Sequence, residues 1–207
     1  MSESLSGKVV ALIGEGSMMN RALAMSCAEA GASLALATVE RTQSQEFAMN
    51  SIANEAWAVG REQFVSVMDG CDGSAVQSFA EQTWDRFGRC DVLVVAHHGP
   101  SLAPLDELSQ DEWDATIRLN LTAPFLAAHA FGRLMERGGT GLIIVVVPEV
   151  DGADAGYLAA RSGLTEVVNA INATWGGRGV VARRLVLPVG TTDADATALL
   201  AALFQPT

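Results

Sequence analysis

Between an apolar run ending at Ile13 and a helical pattern starting near Asn20, the chain reads Gly14-Glu15-Gly16-Ser17-Met18-Met19-Asn20. Two glycines at this spacing can make a tight turn that brings backbone N–H groups and a helix N-terminus up to a phosphate. The same residues also make a plain turn capped by Ser17 or Asn20. Further along, Tyr157 and Arg161 stand one helical turn apart, so in a helix both project from one side. A guanidinium fixed beside a phenol favours the phenolate, but it holds its own proton and cannot relay one. Tyr157 is the only tyrosine. Its plainer reading is a helix residue lining a pocket or an interface, and Arg161 reads equally as solvated or ion-paired near Asp151 or Asp154. His97 and His98 end another apolar run. Neighbours on an extended segment point opposite ways, so the two do not share a metal. No cysteine or carboxylate completes a ligand spacing with them or with His129, and no metal site is expected. Either imidazole could act as an acid or base, or simply wall a pocket.

Short apolar runs alternate with helical stretches along the whole chain, and these must position the residues above. Strands are expected at Lys8–Ile13, Ser33–Thr38, Phe64–Met68, Asp91–Ala96, Leu142–Val147 and Val180–Leu187. Helices are expected at Asn20–Ala30, Gln45–Val59, Ala75–Phe87, Ala155–Trp175 and Asp193–Phe204, with a long one over Asp111–Arg137 bent near Pro124. Strands apolar on both faces, each followed by a helix, predict a parallel sheet covered on both sides, a doubly wound three-layer α/β domain. A flavodoxin-like winding has the same rhythm.

The length of 207 residues fits one domain with a substantial core. The formal net charge of -11 disfavours nucleic acid and anionic membrane surfaces as partners. It does not exclude an anionic cofactor held by backbone N–H groups. Three separated cysteines, Cys27, Cys71 and Cys90, with no basic and apolar leader, fit a reducing cytoplasm. No apolar run approaches the ~20 residues of a spanning helix.

Taken in order, the segments resemble the short-chain dehydrogenase/reductase family over residues ~7–192. Gly7–Leu12 and Ala22–Ala32 are similar to its opening strand, helix and second-strand entry. Asp69 falls at its adenine-ring aspartate, Asp91-Val92-Leu93-Val94 at its fourth strand, and Trp113 and Asn120-Leu121 at its long fourth helix. Gly141–Val145, Tyr157–Leu164 and Pro188 complete the match. The resemblance implies a Rossmann-type single domain over 1–207, short of the family's C-terminal lid and last strand, and NAD(P)-dependent oxidation or reduction of a small-molecule substrate. It implies Tyr157 as general acid/base, Arg161 at the lysine position, and Asn120 as the prop of a water relay. It implies Gly14, Gly16, Ser17, Met19, Thr38, Arg41, Asp69 and Ala96 along the cofactor. Thr38 with Arg41 leans toward NADP over NAD; Arg41 reads equally as solvated at a helix start. The family packs its two long central helices across a two-fold axis. Leu121, Phe125, Leu126, Phe131, Leu164, Val167, Val168 and Ile171 are therefore expected to make a homodimer or homotetramer.

The departures gather at the chemistry. The family's second and third loop glycines are Met18 and Asn20, and Glu15 adds a carboxylate, so nucleotide is expected to bind weakly or not at all. Its Asn-Asn-Ala-Gly block is Val95-Ala96-His97-His98, its serine falls on Val147 or Pro148, its lysine is Arg161, and its last Pro-Gly is Pro188-Val189. Losing an oxyanion donor costs about 3 kcal/mol, so carbonyl reduction is expected to be impaired. Two other outcomes fit these departures. One is a non-catalytic subunit or scaffold. The other is a cofactor-free enzyme similar to halohydrin dehalogenases, in which arginine replaces the lysine and bulky loop residues such as Met18 and Met19 wall a halide pocket; the missing serine counts against it.

Overall fold

The β-branched and leucine-rich runs do form strands, and they form one sheet. The computed structural model describes residues 5–97, 99 and 102–204. In chain order the elements are β1 (Val9–Gly14), α1 (Met18–Glu29), β2 (Ser33–Thr38), α2 (Gln43–Ala58), β3 (Gln63–Ser66), α3 (Gly73–Phe87) and β4 (Val92–Val95). They continue as α4 (Gln110–Ile117), a π-helical turn Arg118–Thr122, α5 (Ala123–Gly138), β5 (Gly141–Pro148), α6 (Ala155–Trp175), β6 (Val180–Leu187) and α7 (Asp193–Leu203). The six strands run in the order β3-β2-β1-β4-β5-β6, and every pairing is parallel. The flavodoxin-like winding is thereby excluded.

Each sheet face carries its own core. Phe79, Phe131, Ile143 and Leu164 pack on one side, and Leu12, Leu23, Leu36 and Ile144 on the other. Strand order reverses between β1 and β4, which opens a crevice at their carboxyl ends, where ligands of such sheets bind.

The long helix expected over Asp111–Arg137 is interrupted rather than merely bent. Pro124 has no N–H to donate to the carbonyl of Asn120, so the ladder slips to i→i+5 bonding over Arg118–Thr122 before α5 resumes. The slip places Asn120, buried, on the side facing α6 and β4.

The amino end of the sheet is pinned by Asp91. Its carboxylate accepts from Val9 N–H at 2.9 Å and from Arg89, and pairs with Lys8 at 3.2 Å. Burial works against the Asp91 charge, but the bonds from Arg89, Val9 N–H and Lys8 outweigh it and hold the carboxyl below its ordinary range. Asp91→Ala is expected to cost about 3 kcal/mol at neutral pH, because it strands a buried N–H and two cations. A carboxyl with a lowered folded pKa stabilises above its unfolded value and loses that contribution as pH falls through the folded one. Urea unfolding of parent and variant is therefore expected to differ most at neutral pH and to converge below about pH 4.

Candidate active site

At the first strand–helix turn, Gly16 adopts φ +79°, and a Cβ there would collide with that of Ala48. Glycine is therefore required on backbone grounds alone. Ser17 caps α1, and Asn20 completes a reciprocal capping box. The Asn20 side chain does more than cap. Its Oδ1 accepts from Gly16 N–H at 2.8 Å and from Ser17 N–H at 3.3 Å, and its Nδ2 donates to the Ala96 carbonyl at 2.5 Å. A Cβ on Gly14 would strike the same Asn20 amide. The N–H groups at the mouth of this loop are thus satisfied from within the chain. Met18, expected to crowd the loop together with Asn20, instead is 65% exposed. It does not line the clefts around Tyr157, Pro188 or Asp69. Met19 is half-buried and lines, with Asn20, Ala96, Pro148, Glu149, Pro188 and Thr191, a cleft of about 220 Å³.

A second cleft, of about 420 Å³, opens beyond the end of β2 between Val39, Glu40, Arg41, Asp69, Cys71 and Arg118. Thr38 is not in it. Its hydroxyl is fully buried, donating to the Met68 carbonyl and accepting from Met68 N–H, both at 2.9 Å, so that it staples β2 to the segment after β3. Asp69 receives Cys71 N–H at 2.8 Å and pairs with Arg118 at 3.4 Å. Arg118 was not singled out in the sequence, because only the π turn brings it opposite Asp69. Cys27 and Cys90 are buried, and desolvation pushes both thiols up to about 12, while Cys71 is raised by partial burial.

Tyr157, Arg161, Asn120 and His97 come together at the carboxyl ends of β4 and β5, around a gap of only about 10 Å³. Asp154 caps α6 and accepts from Tyr157 N–H at 2.7 Å. The Tyr157 hydroxyl donates to the Pro148 carbonyl at 2.7 Å. Burial raises the Tyr157 pKa, and the opposing charge of Arg161 does not offset it, so the phenol stays neutral at physiological pH. The guanidinium does lower it, as its charge leads one to expect, but burial is the larger effect and sets the net direction. Arg161 pairs with Glu149, not with Asp151 or Asp154. Glu149 carried no signal in the sequence beyond its place just after a strand. Asn120 donates from Nδ2 to the carbonyls of Gly99, at 3.1 Å, and Thr116, at 3.0 Å, and accepts from Gly99 N–H. His97 is buried with Nε2 at 2.8 Å from the Leu119 carbonyl; His98 lies outside the described residues.

The serine position presents Val147, buried, or Pro148, half-buried, and neither has a hydroxyl. Among the described residues the arrangement therefore offers a neutral phenol as proton donor, an arginine already neutralised, and no second hydroxyl for a developing oxyanion.

Comparison with known proteins places this geometry in context. The family model described as short chain dehydrogenase matches residues 8–200. The D-threitol dehydrogenase of Mycolicibacterium smegmatis is 31% identical over 180 residues, covering 85% of this chain and 67% of that protein. A short chain dehydrogenase/reductase of Aspergillus oryzae is 30% identical, covering 78% of this chain and 63% of its own. The chain thus spans about two thirds of the length of these relatives. A crystal structure of a metagenomic short-chain oxidoreductase in complex with NADP superposes with a TM-score of 0.85 at 26% identity, covering 99% of this chain and 93% of that one.

Proposed function

Because this chain belongs to the short-chain dehydrogenase/reductase family, we propose that it is an NAD(P)-type oxidoreductase domain with weakened nucleotide binding and impaired carbonyl chemistry. The observation that carries the reading is the Tyr157 hydroxyl donating to Pro148 where the family places its serine. A substrate carbonyl needs that phenolic hydrogen and a second donor. Here the first is engaged, and among the described residues that line the site the second is lacking.

The residues fit a dinucleotide in part. Arg41, Asp69 and Arg118 line the cleft for an adenosine, and Met19, Ala96, Pro148 and Thr191 the one for a nicotinamide. Bound there, the nicotinamide supplies or accepts a hydride. The link between the two clefts crosses the loop that Asn20 fills. In this reading Arg41 favours NADP, and Tyr157 acts as the acid once displaced from Pro148. Calorimetric titration tests the binding half: NADPH is expected to bind with a dissociation constant above about 100 µM and more tightly than NADH. Low-micromolar affinity contradicts it. A cytoplasmic setting accords with three free thiols, and among the described residues no helix is long and apolar enough to cross a membrane.

A non-catalytic subunit is the second reading, favoured by the groove of about 340 Å³ between α5 and α6. Phe131, Leu164 and Val168 turn inward to the sheet, but Phe125 is 46% exposed at this groove beside His129, Ile171 and Trp175. In both readings the chain self-associates through this face as a homodimer or homotetramer. Phe125→Arg is expected to yield monomers in sedimentation at micromolar concentration, from a parent that sediments as a dimer or larger. A monomeric parent removes the claim.

A further inference from the structure

Glu149 stands one residue beyond β5, and its backbone N–H donates to the Leu187 carbonyl at 2.7 Å, which anchors it to the end of β6. Its carboxylate pairs with Arg161. The preceding residue, Pro148, supplies the carbonyl that accepts the Tyr157 hydroxyl. One anchored dipeptide therefore holds both members of the Tyr157–Arg161 pair, the phenol by a carbonyl and the guanidinium by a carboxylate. The ion pair is partly sheltered, with side-chain exposures of 29% for Arg161 and 37% for Glu149, so solvent screens it incompletely.

We propose that Glu149 is a positioning residue of this site: by holding Arg161 it restrains the guanidinium, and the Tyr157 hydroxyl stays the neutral donor to Pro148. The surroundings leave few other groups to play this part. On α6, Asp154 is engaged with Tyr157 N–H, and Arg161 stands one turn on. Beyond β4, His97 lines the same gap as the phenol with Nε2 at the Leu119 carbonyl, and from the π turn Asn120 is bonded to Gly99 and Thr116. Glu149 is the acid that meets Arg161. Arg161 opposes the effect of burial on the phenol without overcoming it, as expected of a cation whose charge is largely met elsewhere. Without the carboxylate, the guanidinium is both released and uncompensated, and the phenolate gains a partner.

The inference rests on reading Tyr157 as the site's acid, but its test reads the phenol alone, so it can fail while that reading stands. Tyr157 is the only tyrosine, so incorporation of fluorotyrosine gives one fluorine NMR resonance whose pH titration reports this group. Titrations are compared for the parent, Glu149→Ala, Arg161→Met and the double variant, with far-UV circular dichroism confirming the fold at each pH. Glu149→Ala is expected to lower the midpoint by about one pH unit, and Arg161→Met to raise it. In the Arg161→Met background, removal of Glu149 is expected to shift it by less than in the parent. An unchanged or higher midpoint in Glu149→Ala overturns the proposal, as does an equal shift in both backgrounds. If Glu149→Ala does not fold, Glu149→Gln, which keeps the size and removes the charge, carries the same directions and the same contradictions.

Discussion

Asn20→Gly is expected to tighten NADPH binding by at least about tenfold while lowering the stability of the unliganded protein. In the folded chain the Asn20 amide occupies Gly16 N–H and Ser17 N–H and bridges to the Ala96 carbonyl. Removing it frees two N–H donors at the start of α1, where the helix dipole also favours an anion. Hydrogen bonds to a charged phosphate contribute about 1.5–3 kcal/mol each, against about 1 kcal/mol for the neutral bonds they replace. One decade in affinity is about 1.4 kcal/mol, so the two recovered contacts, with a net of about 1–4 kcal/mol, give about tenfold. The loss of the Ala96 bridge and a glycine inside the first helical turn together lower stability by about 2 kcal/mol. Calorimetry and thermal unfolding of the same samples read both effects. Affinity equal to that of the parent means the amide is not what limits the loop.

Arg161→Lys alone is expected to leave ketone reduction at background, although it restores the residue type the family uses. The missing hydroxyl is the larger deficit, since one oxyanion donor is worth about 10²–10³ in rate. Pro148→Ser supplies a hydroxyl at the position whose carbonyl now accepts from Tyr157. Combined with Arg161→Lys and Asn20→Gly it is expected to raise NADPH-dependent reduction by about 10² or more over the parent. Steady-state NADPH consumption with a ketone panel measures this. A gain from Arg161→Lys by itself places the deficit in proton relay instead.

The sheet was legible because β1, β2, β4 and β5 are apolar runs buried almost throughout, and β2, β6 and α6 fall where the sequence predicts them. The interruption of the long helix was legible only as a bend: Pro124 marks the place, but its missing N–H fits a bent ladder as well as the i→i+5 slip that forms. Tyr157 and Arg161 share a helix, so their spacing alone places them together. The residues that decide their state come from elsewhere in the chain. Glu149 reaches Arg161 because β5 pairs with β6 in one register, and Arg118 reaches Asp69 through the π turn. The sequence offers Asn20 both as bulk in a glycine position and as a cap of the turn; the capping box bears out the second, and the hold of its Oδ1 on Gly16 N–H and Ser17 N–H follows from amide geometry and not from size.

The proposed function is that of a family member with most of its carbonyl chemistry lost. Single-turnover NADPH oxidation tests that most directly, with the unmodified protein in excess over nucleotide, at nucleotide-binding concentrations and with a panel of small ketones. The expected rate is no more than about tenfold above the protein-free reaction. Oxidation of the bound NADPH within seconds by any ketone of the panel contradicts it, because proton delivery and oxyanion support would then be coming from groups other than a free Tyr157 hydroxyl and a serine, with His97 the first side chain to substitute.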